Sequence, residues 1–209
     1  MASKQAAVLT GDIVYYTKLK PAAARKLLQS LGEAFGKNRF EFYRGDSFQV
    51  LTEDPLEALR LALRCRSLAI SMSARKEALH NDVRISIGIG KVPASISTLG
   101  AASGEAFLLS GRAFDTMTKE NKRLSIAVTD PLAAAGLAAV ADFADSVFRN
   151  LTIRQAALFR LLLEGRTQQE AAIELGKSKS TVHQHATSGN WNDTERILYH
   201  YTAIIQQIL

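Results

Sequence analysis

The sequence predicts an α+β fold, a sheet carrying helices over residues 1–150 followed by an all-helical unit over 151–209. Three observations predict it. Short apolar runs with strand periodicity alternate with amphipathic helical stretches up to Asn150; beyond it the strand signal stops and capped helical segments follow one another; and 47% hydrophobic with 22% charged residues is the balance of a chain that buries a core.

Residues 6–12, AAVLTGD, read as a buried strand that delivers Asp12 to a sheet end. A helical pattern follows from Pro21 to Phe35, and RFEFYRGDSFQVL alternates about Gly45 and Asp46 as a hairpin with the acid at its turn. Asp54, with Pro55 behind it, caps a helix whose Leu59, Ala62, Leu63, Cys65, Ala69 and Met72 point inward, so Cys65 reads as a small core residue. VRISIGIGKV is a strand, Gly104 to Thr118 a helix, RLSIAVT a strand, and Pro131 to Arg149 an alanine-rich helix. The order is β, α, β, β, α, β, α, β, α.

The all-helical unit carries its start and stop signals in the open. Thr152 with Gln155, and Thr167 with Glu170, have capping-box spacing, Ser178 caps a third helix, and Gly165 and Gly176 end the first two. Val182 and Ala186 face the core of this helix-turn-helix, which leaves Lys177, Lys179, Ser180, Thr181, His183, Gln184 and His185 to meet double-stranded DNA. Gln184 suits adenine, and the residues near the helix start suit phosphates or base edges. A protein-binding helical tail is the alternative. After Gly189 a last helix is expected from Asp193, its stripe of Ile197, Leu198, Tyr201, Ile204, Ile205 and Ile208 packing within the chain or against a second copy.

The net charge is +6, and six Lys/Arg against five Asp/Glu beyond Asn150 place about +1 of it on the reader. Such a unit grips phosphate weakly by itself, and a homodimer is expected. One cysteine excludes an internal disulfide and a structural zinc site, and no membrane-length apolar run or signal peptide is apparent, so a cytoplasmic protein is expected.

Asp12 and Asp46 come together if their strands are neighbours, which suits Mg²⁺ or Mn²⁺ shared with a nucleotide triphosphate. The plainer reading is that each acid satisfies a turn. GDI at 11–13, GDSFQ at 45–49, RISIGIG at 84–90, GEAFLLSGRAFD at 104–115 and TQQEAAIELGKSKSTV at 167–182 together resemble the SatD family over nearly the whole chain. The front part is also similar to class III nucleotide cyclase domains, which implies a ferredoxin-like, palm-type βαββαβ core with Asp12 and Asp46 as metal ligands. The same resemblance implies Arg112 as a catalytic residue, and with Lys119 and Lys122 as a nucleotide-phosphate contact. Two of the cyclase positions are changed: the asparagine of the helix motif is Leu108 and the base-selecting lysine is Phe42. Neither side chain donates a hydrogen bond, and loss of one such donor commonly costs about 10²- to 10³-fold in rate.

The leading expectation is therefore a DNA-binding transcriptional regulator with a degenerate, nucleotide-sensing cyclase-like domain. The rivals are a Mg- or Mn-dependent nucleotidyl cyclase or nucleotidyltransferase, and a stress- or phage-defence interaction module without catalysis.

Overall fold

The computed structural model describes residues 3–43, 45–74 and 80–209. The strands are β1 (Ser3–Val14), β2 (Arg39–Tyr43), β3 (Ser47–Thr52), β4 (Asp82–Pro93) and β5 (Leu124–Ala127), and the helices α1 (Pro21–Phe35), α2 (Ala58–Ser71), α3 (Glu105–Lys119), α4 (Pro131–Arg149), α5 (Ile153–Leu163), α6 (Gln168–Glu174), α7 (Lys179–Ser188) and α8 (Trp191–Ile208). This is the expected β, α, β, β, α, β, α, β, α order followed by helices alone. Arg44, in the expected hairpin, lies outside the described residues.

One five-stranded sheet runs β2-β3-β1-β4-β5. The pairs β2–β3, β3–β1 and β1–β4 are antiparallel, and β5 joins β4 in parallel after the α3 crossover. The first four strands with α1 and α2 make the βαββαβ core: α1 carries the chain from β1 past the position that β3 fills, and α2 carries it from β3 across β1 to β4.

The period of two in β1 sorts its residues between the sheet's faces. Ala7, Leu9 and Ile13 enter the main core with Leu27, Leu31, Phe35, Leu59 and Leu63 from α1 and α2. Ala6 and Val8 join a smaller cluster with Ala106 and Phe107 of α3 on the other face. Helix α3 lies so close to β4 that a Cβ on Gly88 would stand 2.3 Å from the Ala106 carbonyl and 2.4 Å from the Ser110 nitrogen. The GIGK segment thus serves packing.

The core does not stop at residue 150. Helix α5 packs on α2, and the main cluster runs from Leu9 in β1 through Phe148 to Phe159, Trp191 and Tyr201. Phe159 meets Phe148 edge-on at 6.0 Å between centroids and Trp191 at 5.1 Å. The α8 stripe packs within the chain, against α4, and the Tyr201 hydroxyl donates to the Pro55 carbonyl at 2.6 Å. Burial pushes the Tyr201 phenol above its ordinary pKa, keeping it a donor. Helix α8 starts at Trp191 rather than Asp193, because Asn190 takes up the left-handed conformation (φ 62°) that ends the preceding turn.

A buried ion network ties α2, β4, β5 and α4 together. Arg66 of α2 is fully buried; its Nε and Nη2 donate to Asp82 at 3.1 and 2.8 Å, and its Nη1 donates to Asp145 at 2.8 Å. Arg123 adds a 2.8 Å bond to Asp82, and Arg149 one of 3.0 Å to Asp145. Burial alone would lower the Arg66 pKa, but the Asp82 and Asp145 carboxylates more than offset it, so its pKa is raised.

Helix α4 departs from the expectation of no membrane-length apolar run, since it is long and apolar enough to cross a membrane. Its Ala133, Leu137, Ala141, Ala144, Val147 and Phe148 are nevertheless built into the core, and Asp145 into the ion network.

Asp82→Ala leaves Arg66 buried with half its partners gone and is expected to destabilise by about 3–5 kcal/mol, measured by chemical denaturation; a loss under about 1 kcal/mol contradicts the role given to the network. Cys65 is fully buried and its thiol is pushed up to about 12. Its modification by a thiol reagent is expected to track global unfolding, and rapid labelling of the native protein counts against this packing.

Candidate functional site

Asp12 stands near the end of β1, directly opposite Ser47 of β3 and Arg84 of β4. Neighbouring strands therefore bring the two expected carboxylates to one end of the sheet. The Ile13 amide donates to the Asp46 carbonyl at 3.1 Å, and the Ser47 hydroxyl donates to Asp46 Oδ1 at 3.3 Å, fixing the turn that holds the second acid.

Sequence reasoning missed Arg84. Its Nε and Nη2 donate to Asp12 Oδ1 and Oδ2 at 2.8 and 2.5 Å, a bidentate fork. The bonds to Asp12 raise the pKa of Arg84 against its desolvation, and the charges of Asp12 and Asp46 and the Tyr15 phenol add to this. One cation thus stands among two carboxylates. The signal in the sequence was the one arginine of β4, but only the β1–β4 register shows what it faces.

The donor set fits a divalent ion shared with a phosphate. Each carboxylate oxygen has two lone-pair sites, so Asp12 keeps acceptor capacity beyond the two bonds from Arg84, and Asp46 is half-exposed. Among the described residues no group of three or more His, Cys, Asp or Glu forms a self-sufficient metal centre. Phosphate oxygens would have to complete the coordination of a hard cation, and Arg84 would meet their charge.

Beside these acids the same face carries a polar strip. The Thr10 hydroxyl donates to Ser110 Oγ at 3.0 Å and accepts from Gln49 Nε2 at 3.4 Å, while Ser86 Oγ donates to the Ser110 carbonyl at 2.6 Å. Glu41 of β2 accepts from the Leu99 and Gly100 amides at 2.8 and 3.2 Å and from the Tyr43 hydroxyl at 2.8 Å. Arg39 donates to the Ile96 and Ser97 carbonyls at 2.7 and 3.1 Å. Together Arg39 and Glu41 clamp the 94–102 connection over the β2 side of the sheet. The bonds to Leu99 and Tyr43 hold Glu41 below the usual carboxylate range.

The remaining cyclase-type residues lie elsewhere. Arg112 is exposed on α3 and lines a groove of about 330 Å³ between α3, β5 and α4. Lys122 lines the same groove, where Asp142 at 2.9 Å and Glu120 at 3.4 Å engage it and raise its pKa. Lys119 is exposed at the end of α3. Within one chain the structure brings together Asp12 and Asp46 but not Arg112, Lys119 or Lys122. Leu108 is half-exposed, and Phe42 packs with Phe35 and Phe48, so neither position offers a polar group.

At the other end of the chain both capping boxes form: Thr152 with Gln155, and Thr167 with Glu170. Helices α5 and α6 each end in the same motif. Gly165 (φ 86°) and Gly176 (φ 60°) take the left-handed conformation, and the next amides, of Arg166 and Lys177, donate back to the Leu161 and Ala172 carbonyls at 3.0 and 2.9 Å. Ser178 caps α7, whose Val182 and Ala186 are buried against α5 and α6. Lys177, Lys179, Ser180, His183 and Gln184 are exposed, and Thr181 and His185 are half-buried. The hydroxyls of Ser180 and Thr181 lie 2.9 and 2.8 Å from Ser178 Oγ and are partly occupied by the cap.

No protein-family model and no curated protein sequence matches the chain, so the SatD resemblance rests on its motifs. Among solved structures the chain is similar to the active GGEEF domain of a diguanylate cyclase from Vibrio cholerae, at 12% identity over 61% of this chain and 85% of that one, with a TM-score of 0.45. It is also similar to a bacterial light-regulated adenylyl cyclase, at 14% identity over 60% and 77% of the two chains, with a TM-score of 0.45. A further likeness is to the adenylyl cyclase CyaB from P. aeruginosa, at 16% identity over 55% and 73%, with a TM-score of 0.41.

Arg84→Ala leaves Asp12 without its cross-strand partner. With both side chains partly open to solvent the expected loss in stability is modest, about 1 kcal/mol in thermal unfolding. A fall of several kcal/mol would show the pair to be a structural keystone instead of an adjustable site.

Proposed function

We propose that this chain is a DNA-binding transcriptional regulator. Two copies act together, α7 reads the major groove, and the Asp12–Asp46–Arg84 end of the sheet senses a nucleotide with Mg²⁺ or Mn²⁺. The observation that carries the reading is α7 itself: a helix fixed from behind by Val182 and Ala186, preceded by a tight turn, and presenting Lys179, His183 and Gln184 to solvent. The motifs shared with the SatD family include this segment and agree with the proposal.

The sheet end supports the sensing half. Two carboxylates for a hard cation and one guanidinium for phosphate make a charge pattern that suits a nucleotide–metal pair. Turnover is a weaker reading, because Arg112 lines the groove between α3, β5 and α4 and Leu108 and Phe42 supply no donor. Since α5 packs on α2 and α2 on the sheet, a change at the sheet has a packed route to the reader. A ligand acts through such a route only by its differential affinity for two arrangements.

A duplex drawn from the protein's own promoter region, titrated by fluorescence anisotropy, tests the DNA reading. Gln184→Ala is expected to cost about 1–3 kcal/mol on the preferred sequence and to relax the preference at one position. Lys179→Ala is expected to weaken all duplexes alike and lower the salt slope by about one. Binding without sequence preference at physiological salt overturns the reading. For the sensing half, ATP or GTP with Mg²⁺ at 100-fold over Kd stabilises by about 2.7 kcal/mol in a thermal shift, a gain that Asp46→Ala should abolish. A new nucleotide product would convert the sensor into an enzyme.

A further inference from the structure

Helix α8 turns one face towards the α5–α6 turn. Trp191, Glu195, Leu198 and Tyr199, at i, i+4, i+7 and i+8, share that face and wall a cavity of about 530 Å³. Its other walls are Arg60 of α2, Leu162 at the end of α5 and the turn from Gly165 to Gln168. The cavity is larger than the groove beside β5 and falls within the span of small-molecule sites, about 300–1,000 Å³.

The floor of this cavity is apolar and fixed. Leu162, Trp191 and Leu198 are buried, and the Trp191 ring stands edge-on to Phe159 at 5.1 Å between centroids. Tyr199, 70% exposed, adds a flat aromatic side chain at the rim. The charge there is one-sided. Arg60 and Arg166 are set against a single acid, Glu195, whereas the groove beside β5 matches two cations with two acids. Arg60 engages Glu57 through its Nε at 3.3 Å, which leaves Nη1 and Nη2 as donors. Arg166 makes no ion pair among the described residues, and Glu170, the acid that feels its charge, is held by the Thr167 cap.

We infer that this cavity binds a small aromatic oxyanion, a carboxylate or phosphate monoester on a flat ring. The ring lies over Leu162, Trp191 and Leu198, and the anionic head meets Arg60 and Arg166. A neutral ligand would use the apolar floor and leave the arginines idle. A DNA backbone would use the arginines and have no need of the floor. Because the walls come from α2, the α5–α6 turn and α8, an occupant bridges the sheet-bearing part of the chain and its helical end. The cavity shares no residue with the Asp12–Asp46–Arg84 end of the sheet, and its chemistry depends on neither a metal nor the DNA reading.

Trp191 is the chain's single tryptophan, so its fluorescence reports on the cavity directly. The full chain is titrated with phenyl phosphate and with benzoate, and with benzamide and inorganic phosphate as the ring without the charge and the charge without the ring. EDTA is present throughout, which keeps a metal-dependent nucleotide site out of the readout. At least one aryl anion is expected to shift the Trp191 emission saturably, at concentrations where benzamide and inorganic phosphate do not. Arg60 and Arg166 are partly or fully exposed, so Arg60→Ala and Arg166→Ala should keep the wild-type melting behaviour. Each should raise the Kd of the aryl anion more than about tenfold, through loss of a charge-assisted hydrogen bond. No saturable change with either aryl anion overturns the inference, as does equally tight binding of benzamide or indifference to both substitutions. So does a loss of duplex affinity in both variants of a chain that binds no aryl anion, which would give the arginines to the DNA backbone. Binding of an aryl anion by a chain that binds no duplex upholds the cavity and removes the reader function instead.

Discussion

Arg66 is the residue around which the fold is arranged. A guanidinium with no exposure to water is tolerable only where carboxylates meet it in good geometry, and here Asp82 arrives from the start of β4 and Asp145 from α4. Those acids in turn hold Arg123 just before β5 and Arg149 at the end of α4. The network thereby sets the distance of α2 from the β4–β5 half of the sheet. It also fixes the direction in which α4 leaves, and so where the last four helices begin.

From that fixed point the two parts of the chain become one body. Helix α2 faces the sheet on one side and α5 on another, and α8 folds back to bond Pro55, just ahead of α2. The unit built on α5, α6 and α7 therefore does not swing freely on a linker after residue 150. Displacing it would break a continuous core that includes Phe148, Phe159 and Trp191. In the proposed regulator this constraint has a use, because a rearrangement at the sheet would not be absorbed by a flexible joint.

The sheet face opposite that core carries a concentration of polar side chains. Asp12, Thr10, Ser86 and Arg84 share it because β1 and β4 pair in a register that sets Asp12 against Arg84 and Thr10 against Ser86. Helix α3 covers one part of this face, and the clamp from Arg39 and Glu41 holds the connection over another. Beyond both lies the end with the two acids and their arginine, which is partly exposed.

Local signals in the sequence determined the order of strands and helices, the Thr152, Thr167 and Ser178 caps, the two glycine stops and the inward stripe of α8, whereas Asp54 caps a short 3-10 turn, Pro55–Glu57, ahead of α2 instead of α2 itself. Each depends on residues within about one helical turn or one strand of each other, so composition and spacing suffice to read it. The pairing of Asp12 and Asp46 was also legible, given a βαββ order. Other features belonged to the tertiary structure. Arg84 against Asp12, Glu41 against Leu99 and Arg66 against Asp145 join residues 72, 58 and 79 positions apart. Which side chain a distant one meets is settled by sheet register and helix packing, and no local periodicity encodes that. The same holds for Arg112, which the cyclase resemblance groups with the acids while the packing of α3 sets it in the groove beside β5. The sequence by itself determined which segments are strand, helix and turn; only the tertiary structure decided which charges neutralise one another and which side chains gather around the cavity at Trp191.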